Sequence, residues 1–156
     1  MNIIGGEGHS LLLNIQRVSS ASVEVDGEIK GSIGLGLLIL VCVMPPDNKK
    51  TCEKVAEKIS KIRIFSDNTG KMNKSLIDIS GSILMISQFT LAANIKRGNR
   101  PDFKKARNPD EAKDIFDYLV KTIKNKTIPV KTGVFGADMK LKTVNLGPVT
   151  IPLEYD

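Results

Sequence analysis

Seven consecutive apolar residues, Leu37-Leu38-Ile39-Leu40-Val41-Cys42-Val43, follow Gly34 and Gly36 and end at Pro45-Pro46-Asp47. A run this short and unbroken leaves no polar face for water, so it predicts a strand covered on both faces, at the centre of a sheet. The rest of the chain must then supply neighbouring strands and a covering layer on each side. With 156 residues the chain fits one domain, and a domain of this size buries roughly 70% of its unfolded surface, enough for a real core.

Residues 11–18 read as a strand and residues 21–25 alternate. Asp26-Gly27 is a two-residue hairpin signal that returns residues 28–33 antiparallel. After the Pro45-Pro46 break, Val55, Ile59 and Ile62 recur at helical spacing, which predicts an amphipathic helix from about residue 49. Residues 63–65 form a short strand candidate before the Asp67-Asn68-Thr69-Gly70 turn, and residues 82–86 a further buried strand. Asn108-Pro109-Asp110-Glu111 opens a second helix, running to about residue 124: Asn is the N-cap, Pro the first helical residue, and the acids face the positive helix end. Residues 130–135, 139–144 and 149–153 are the last strand candidates, punctuated by Gly133, Gly136 and Gly147-Pro148. The sum is an α+β domain: a large, mainly antiparallel or mixed sheet system packed with two amphipathic helices.

The 41% hydrophobic content is ordinary for a globular protein, and no apolar run approaches the ~20 residues that span a bilayer. The N-terminus lacks a secretory pattern, so the expected location is the cytoplasm, without a membrane partner. Only Cys42, Cys52 and His9 are available as soft ligands or imidazole. Both cysteines read as reduced and structural, and His9, in a Gly-rich leader, as a bystander. A Ser/His/Asp triad or a structural zinc site cannot be assembled from these residues, so neither metal nor cofactor is expected.

The formal net charge is +6, and nearly all of it is local. Between residues 96 and 107 stand Lys96, Arg97, Arg100, Lys104, Lys105 and Arg107 against Asp102 alone. Such a run binds phosphates by counterion release, or is simply a solvated basic loop. Phe103 within it offers a ring for base stacking. Lys121, Lys124, Lys126 and Lys131 add a second basic stretch.

Three segments carry groups able to do chemistry. Ser87, Gln88 and Thr90 follow a buried strand, where hydroxyls and amides at a rigid rim can orient a carbonyl or water; polar residues also mark where a strand leaves the core. Phe135-Gly136-Ala137-Asp138-Met139 could line a pocket or pack in the core. Asn145-Leu146-Gly147-Pro148-Val149-Thr150 reads as a turn between two strands, or as a deliberate shape if its X-Pro bond is cis.

Taken together, Ser-Gln-Phe-Thr-Leu, Phe-Gly-Ala-Asp-Met and Asn-x-Gly-Pro-Val-Thr resemble, in order and separation, the D-aminoacyl-tRNA deacylase family. Ile15-Gln16-Arg17-Val18, Lys71-Met72-Asn73 and Gly98-Asn99-Arg100-Pro101-Asp102-Phe103 extend the resemblance over residues 11–153, so that residues 11–156 form the deacylase domain and residues 1–10 a leader outside it. Leu146 departs from the family, where Asp is common.

The resemblance implies the family's barrel-like fold and a homodimer. It implies hydrolysis of the ester joining a D-amino acid, or glycine mischarged on the alanine tRNA, to the terminal adenosine of tRNA. Gly147-Pro148 would be cis and enter the partner subunit's pocket, with Arg17 as its support, rejecting L-amino acids by main-chain bulk. Ser87, Gln88 and Thr90 would be the catalytic segment, with Gln88 and backbone amides positioning the ester and the ribose 2′-OH assisting, because Thr90 has no base to activate it. Phe89, Phe135 and Met139 would border the amino-acid and adenosine pocket. From the charge of the basic run, and not from the resemblance, Lys96, Arg97 and Arg100 are expected to meet acceptor-stem phosphates. A sibling deacylase accepting L-aminoacyl-tRNA, and a non-enzymatic nucleic-acid-binding module, are the rival readings; Ser87 at the first motif position favours the D-specific branch.

Overall fold

Asp26 and Gly27, both with positive φ, form the two-residue turn expected between β1 (Leu12–Val25) and β2 (Glu28–Ile33). The computed structural model describes residues 10–155, so His9 and the leader before Ser10 lie outside the described residues. The two expected strands over 11–18 and 21–25 are one: β1 is continuous, and irregular pairing around Arg17 and Ser19 absorbs the break in its pattern.

β3 (Gly36–Cys42) holds the apolar run and lies between two neighbours, antiparallel to β1 and parallel to β6 (Ser82–Ser87). β7 (Val130–Thr132) continues the sheet parallel to β6, while β8 (Lys140–Glu154) follows the opposite edge of β1 along most of its length. β2 also lies against β6 and β7, which curls the mixed sheet towards a barrel. β4 (Phe65–Ser66) and β5 (Met72–Lys74) make a separate small ribbon.

The alternation of side chains along β3 explains its composition. Leu37, Ile39 and Val41 face a core shared with both helices, and Leu38 faces a second core inside the curled sheet with Val18, Val23, Leu84 and Ile86. Each fully buried aliphatic side chain contributes roughly 1.5–3 kcal/mol, so neither face tolerates a polar residue. The outer layer is α1 (Lys49–Lys61) and α2 (Pro109–Lys124), packed on each other and on the sheet through Val55, Ile59, Phe116 and Leu119.

Asn108 caps α2 as expected, its side chain accepting from Asp110 N at 3.0 Å. α1 has a reciprocal cap that the sequence reading did not name: Asn48 Oδ1 accepts from Thr51 N at 3.0 Å while Thr51 Oγ1 accepts from Asn48 N at 3.3 Å. Three expected strands are corrected. The 130–135 segment leaves the sheet after Thr132, and the 139–144 and 149–153 segments are one strand, β8, in which Gly147-Pro148 is an excursion and not a break. Among the described residues no helix is long and apolar enough to cross a membrane.

Candidate active site

β6 ends at Ser87, opposite Val41 of β3, and Gln88 N donates to Val41 O at 2.7 Å, so the sheet holds the backbone up to the first residue beyond the strand. The chain then turns through a short 3₁₀ segment, Phe89–Ala92. Gln88 Nε2 donates to Thr90 Oγ1 at 2.9 Å, fixing the two side chains together.

This segment borders a cavity of about 850 Å³. Ser87, Gln88, Phe89 and Thr90 share it with Phe135 and Met139 of the β7–β8 connection, with Phe103, Lys104 and Arg107 of the basic run, and with Pro109 and Ala112 at the start of α2. Phe135 sits in a turn closed by Ala137 N donating to Val134 O at 3.2 Å, and its ring packs on Phe116 of α2 with centroids 5.9 Å apart. Phe89 meets Phe103 edge to face at 5.1 Å.

The titratable groups lining the cavity are Cys42, Lys104, Arg107 and Asp138. Burial, reinforced by the charge of Asp47, pushes the Cys42 thiol up to about 11, and burial pushes Cys52 to about 12. Both are therefore thiols at neutral pH and poor nucleophiles. Arg107 is engaged by Glu111 at 2.9 Å and by the Asp47 carbonyl. Thr90 Oγ1 uses a lone pair to accept from Gln88, and none of the lining residues is an imidazole that could take its proton. The wall is thus suited to binding and orienting a polar group, with aromatic and thioether surface around it.

The other expected site residues stand apart from this cavity within one chain. Opposite β1, Thr150 pairs with Gln16 and Asn145 with Val18, so residues 146–149 bulge out against Arg17 alone. Gly147-Pro148 is a cis peptide at the tip, and both residues are exposed. Gly147 has φ +123°, and a Cβ there would lie 2.9 Å from Val149 Cγ2 and 3.1 Å from Arg17 Nη2, so glycine is required twice over. Arg17 donates from Nε to Leu146 O at 3.1 Å and from Nη1 to Ile64 O at 2.8 Å.

Asn145 staples the base of the bulge, accepting from Val149 N at 2.7 Å and donating from Nδ2 to Val149 O and Thr150 Oγ1 at 3.1 Å each. Its role was missed in the sequence, although an Asn two residues before Gly-Pro is the available signal. The part of Ile64, acting through its carbonyl, has no side-chain signal at all.

Lys96, Arg97 and Arg100 are exposed on a loop closed by paired backbone bonds between Asn94 and Asp102, at 2.8 and 3.0 Å, and they do not line the cavity. In the second basic stretch Lys126 is paired with Glu57 at 2.5 Å. Among the described residues no group of three or more His, Cys, Asp or Glu is placed to hold a metal ion.

Comparison with known proteins identifies the family of the chain. Residues 14–154 match the family model described as D-Tyr-tRNA(Tyr) deacylase. The chain is 51% identical to the D-aminoacyl-tRNA deacylase of Ruegeria pomeroyi, over 88% of this chain and 94% of that one. It is 50% identical to the protein of the same name from Thermomicrobium roseum, over 90% and 91%. Among solved structures, the c-Myc DNA Unwinding Element Binding Protein aligns with TM-score 0.86 and 38% identity, covering 93% of this chain and 99% of that one. A probable eukaryotic D-amino acid tRNA deacylase aligns with TM-score 0.79 at 15% identity over 92% and 98%, a likeness of fold alone. The chain belongs to the D-Tyr-tRNA(Tyr) deacylase family of hydrolases.

Proposed function

We propose that this protein hydrolyses the ester of D-aminoacyl-tRNA in the cytoplasm, as a homodimer, releasing the D-amino acid and a tRNA with a free terminal hydroxyl. The observation that carries this reading is the convergence of Ser87, Gln88, Phe89, Thr90, Phe135 and Met139 on one cavity, in a chain whose relatives at about half identity bear the deacylase name. Phe135 and Met139 border the terminal adenosine, with Phe89 at the edge of the same pocket. Gln88 and main-chain amides beside Thr90 orient the ester carbonyl; the Gln88 N–H is committed to Val41 O, which leaves those of Phe89 and Thr90 for the oxyanion. Water attacks the carbonyl carbon, the bond to the ribose oxygen breaks, and that oxygen takes up a proton, with the neighbouring 2′-OH assisting.

Rejection of L-amino acids is assigned to Gly147 and Pro148 of the second subunit. Their exposure at the tip of a braced excursion, away from the cavity of their own chain, is what supports a role across the dimer. Glycine, lacking a side chain to exclude, is accepted, including glycine mischarged on the alanine tRNA. Lys96, Arg97 and Arg100 meet acceptor-stem phosphates.

The test is release of labelled D-amino acid from D-aminoacyl-tRNA by the purified protein, measured beside its binding to labelled duplex DNA. Release establishes the deacylase reading. Tight DNA binding without release would favour a nucleic-acid-binding module, the reading that the name of the c-Myc element-binding relative raises.

A further inference from the structure

We infer that the cavity carries a second nucleotide subsite, formed by Phe89, Phe103 and Lys104, that takes the nucleotide preceding the terminal adenosine of the single-stranded 3′ end. This rests on the deacylase reading and names how much of the substrate the site grips.

Three of the chain's five phenylalanines, Phe89, Phe103 and Phe135, line this one cavity, a concentration that fits flat ligands. They come from different segments. Phe135 and Met139 belong to the β7–β8 connection, whereas Phe89 opens the 3₁₀ segment and Phe103 belongs to the basic run. A cavity of about 850 Å³ is near the top of the range for single small-molecule pockets, roughly 300–1,000 Å³. An aminoacyl-adenosine seated against Phe135 and Met139 would leave the lining at Phe89 and Phe103 for a neighbouring nucleotide.

Phe89 is 58% exposed although Phe103 braces it. A core ring would be covered; this one is held and left open, as a stacking platform requires.

Lys104 supplies the charge for the accompanying phosphodiester. Its backbone is fixed in a turn: Lys104 N donates to Asp102 Oδ1 at 3.0 Å, and Ala106 N donates to Phe103 O at 3.1 Å. Arg107, the other cation of the lining, is engaged by Glu111. Lys104 has no carboxylate partner among the described residues. An unneutralised lysine on a fixed turn, lining the same cavity as an open aromatic ring, is the pairing that single-stranded nucleic acid recognises.

The experiment compares two small substrates, a D-aminoacyl ester of adenosine and the same ester on the dinucleotide cytidylyl-adenosine, in the wild type and in Phe103→Leu, Phe103→Tyr and Lys104→Gln. In the wild type the dinucleotide ester shows a KM lower by roughly tenfold, the scale of one stacked base. Phe103→Leu and Lys104→Gln bring the ratio of the two KM values towards one, and Phe103→Tyr keeps it. Lys104→Gln also lowers the salt dependence of log KM for the dinucleotide ester by about 0.7 per decade, the loss of one single-strand phosphate contact. A folding defect lowers apparent kcat for both esters without changing either KM, so it cannot mimic the expected fall of the ratio. Equal KM values for the two esters in the wild type, or a ratio untouched by Phe103→Leu and Lys104→Gln, overturns the subsite while the deacylase reading stands. If neither ester is cleaved while full-length D-aminoacyl-tRNA is, the subsite is likewise refuted; if no substrate is cleaved, the deacylase reading fails and the subsite with it.

Discussion

Arg17 Nε donates to the carbonyl of Leu146 at 3.1 Å, tying the middle of β1 to the residue that leads into Gly147-Pro148. The same guanidinium reaches Ile64 O at 2.8 Å, so one planar group joins the excursion to the segment after α1. Lysine, with a single nitrogen, lacks the two separate donor positions, Nε and Nη1, that meet these carbonyls. Arg17→Lys is expected to lower stability by about 2 kcal/mol, as hydrogen bonds to charged donors do, and deacylation by up to about 100-fold through misplacement of the tip. Thermal melts and single-turnover rates check both. Gly147→Ala is expected to act in the same direction, since the added methyl meets Val149 and Arg17 in a positive-φ conformation.

Thr90 accepts a hydrogen bond from Gln88 and meets no base. Thr90→Ala is therefore expected to keep kcat within about tenfold of wild type, whereas a group that forms the covalent bond costs far more when removed. Loss of all activity with an intact fold would reinstate Thr90 as the nucleophile.

Cys42 and Cys52 have their ionisation pushed from 9.0 up to about 11 and about 12 by burial. At pH 8 the native thiolate fraction is on the order of 10⁻³ or less, so a thiol reagent should label neither cysteine until the protein unfolds. The sign for stability follows from the raised folded values. The contribution is fully present below about pH 9, where the unfolded thiols also hold their protons, and is lost as pH rises towards 11 to 12. Thiol titration with and without denaturant, and melting temperature against pH, read the two effects.

Asp47 is 2% exposed, and its two oxygens serve different donors: Leu11 N at 2.9 Å and Met44 N at 2.6 Å. In Asp47→Asn one oxygen becomes an NH2 group facing a backbone N–H. A loss of about 1–3 kcal/mol is expected at neutral pH, measured by denaturant unfolding, with the active-site residues untouched.

What the sequence showed clearly was whatever depends on local pattern. The apolar run of β3, the Asp26-Gly27 hairpin and the Asn108-Pro109 helix start each have a mechanism confined to a few neighbouring residues, and each stands as expected. Gly147-Pro148 looked like the end of one strand and the start of another because turn residues mark a bulge and a chain reversal alike. Only the pairing of β8 with β1 distinguishes them. Asp47 was read as part of a strand breaker, since its partners Leu11 and Met44 are backbone amides, one of them 36 positions away. The approach of residues 87–90 to Phe135 and Met139 was legible through family resemblance, not through spacing, because long-range assembly leaves no local trace.

Enantiomer-selective ester hydrolysis is read from the rate of amino-acid release from one tRNA charged with either the D or the L form of the same residue. Rapid release of the D-amino acid is expected, with the L-ester decaying no faster than it does without protein. Equal release of both, or release of neither, would contradict it.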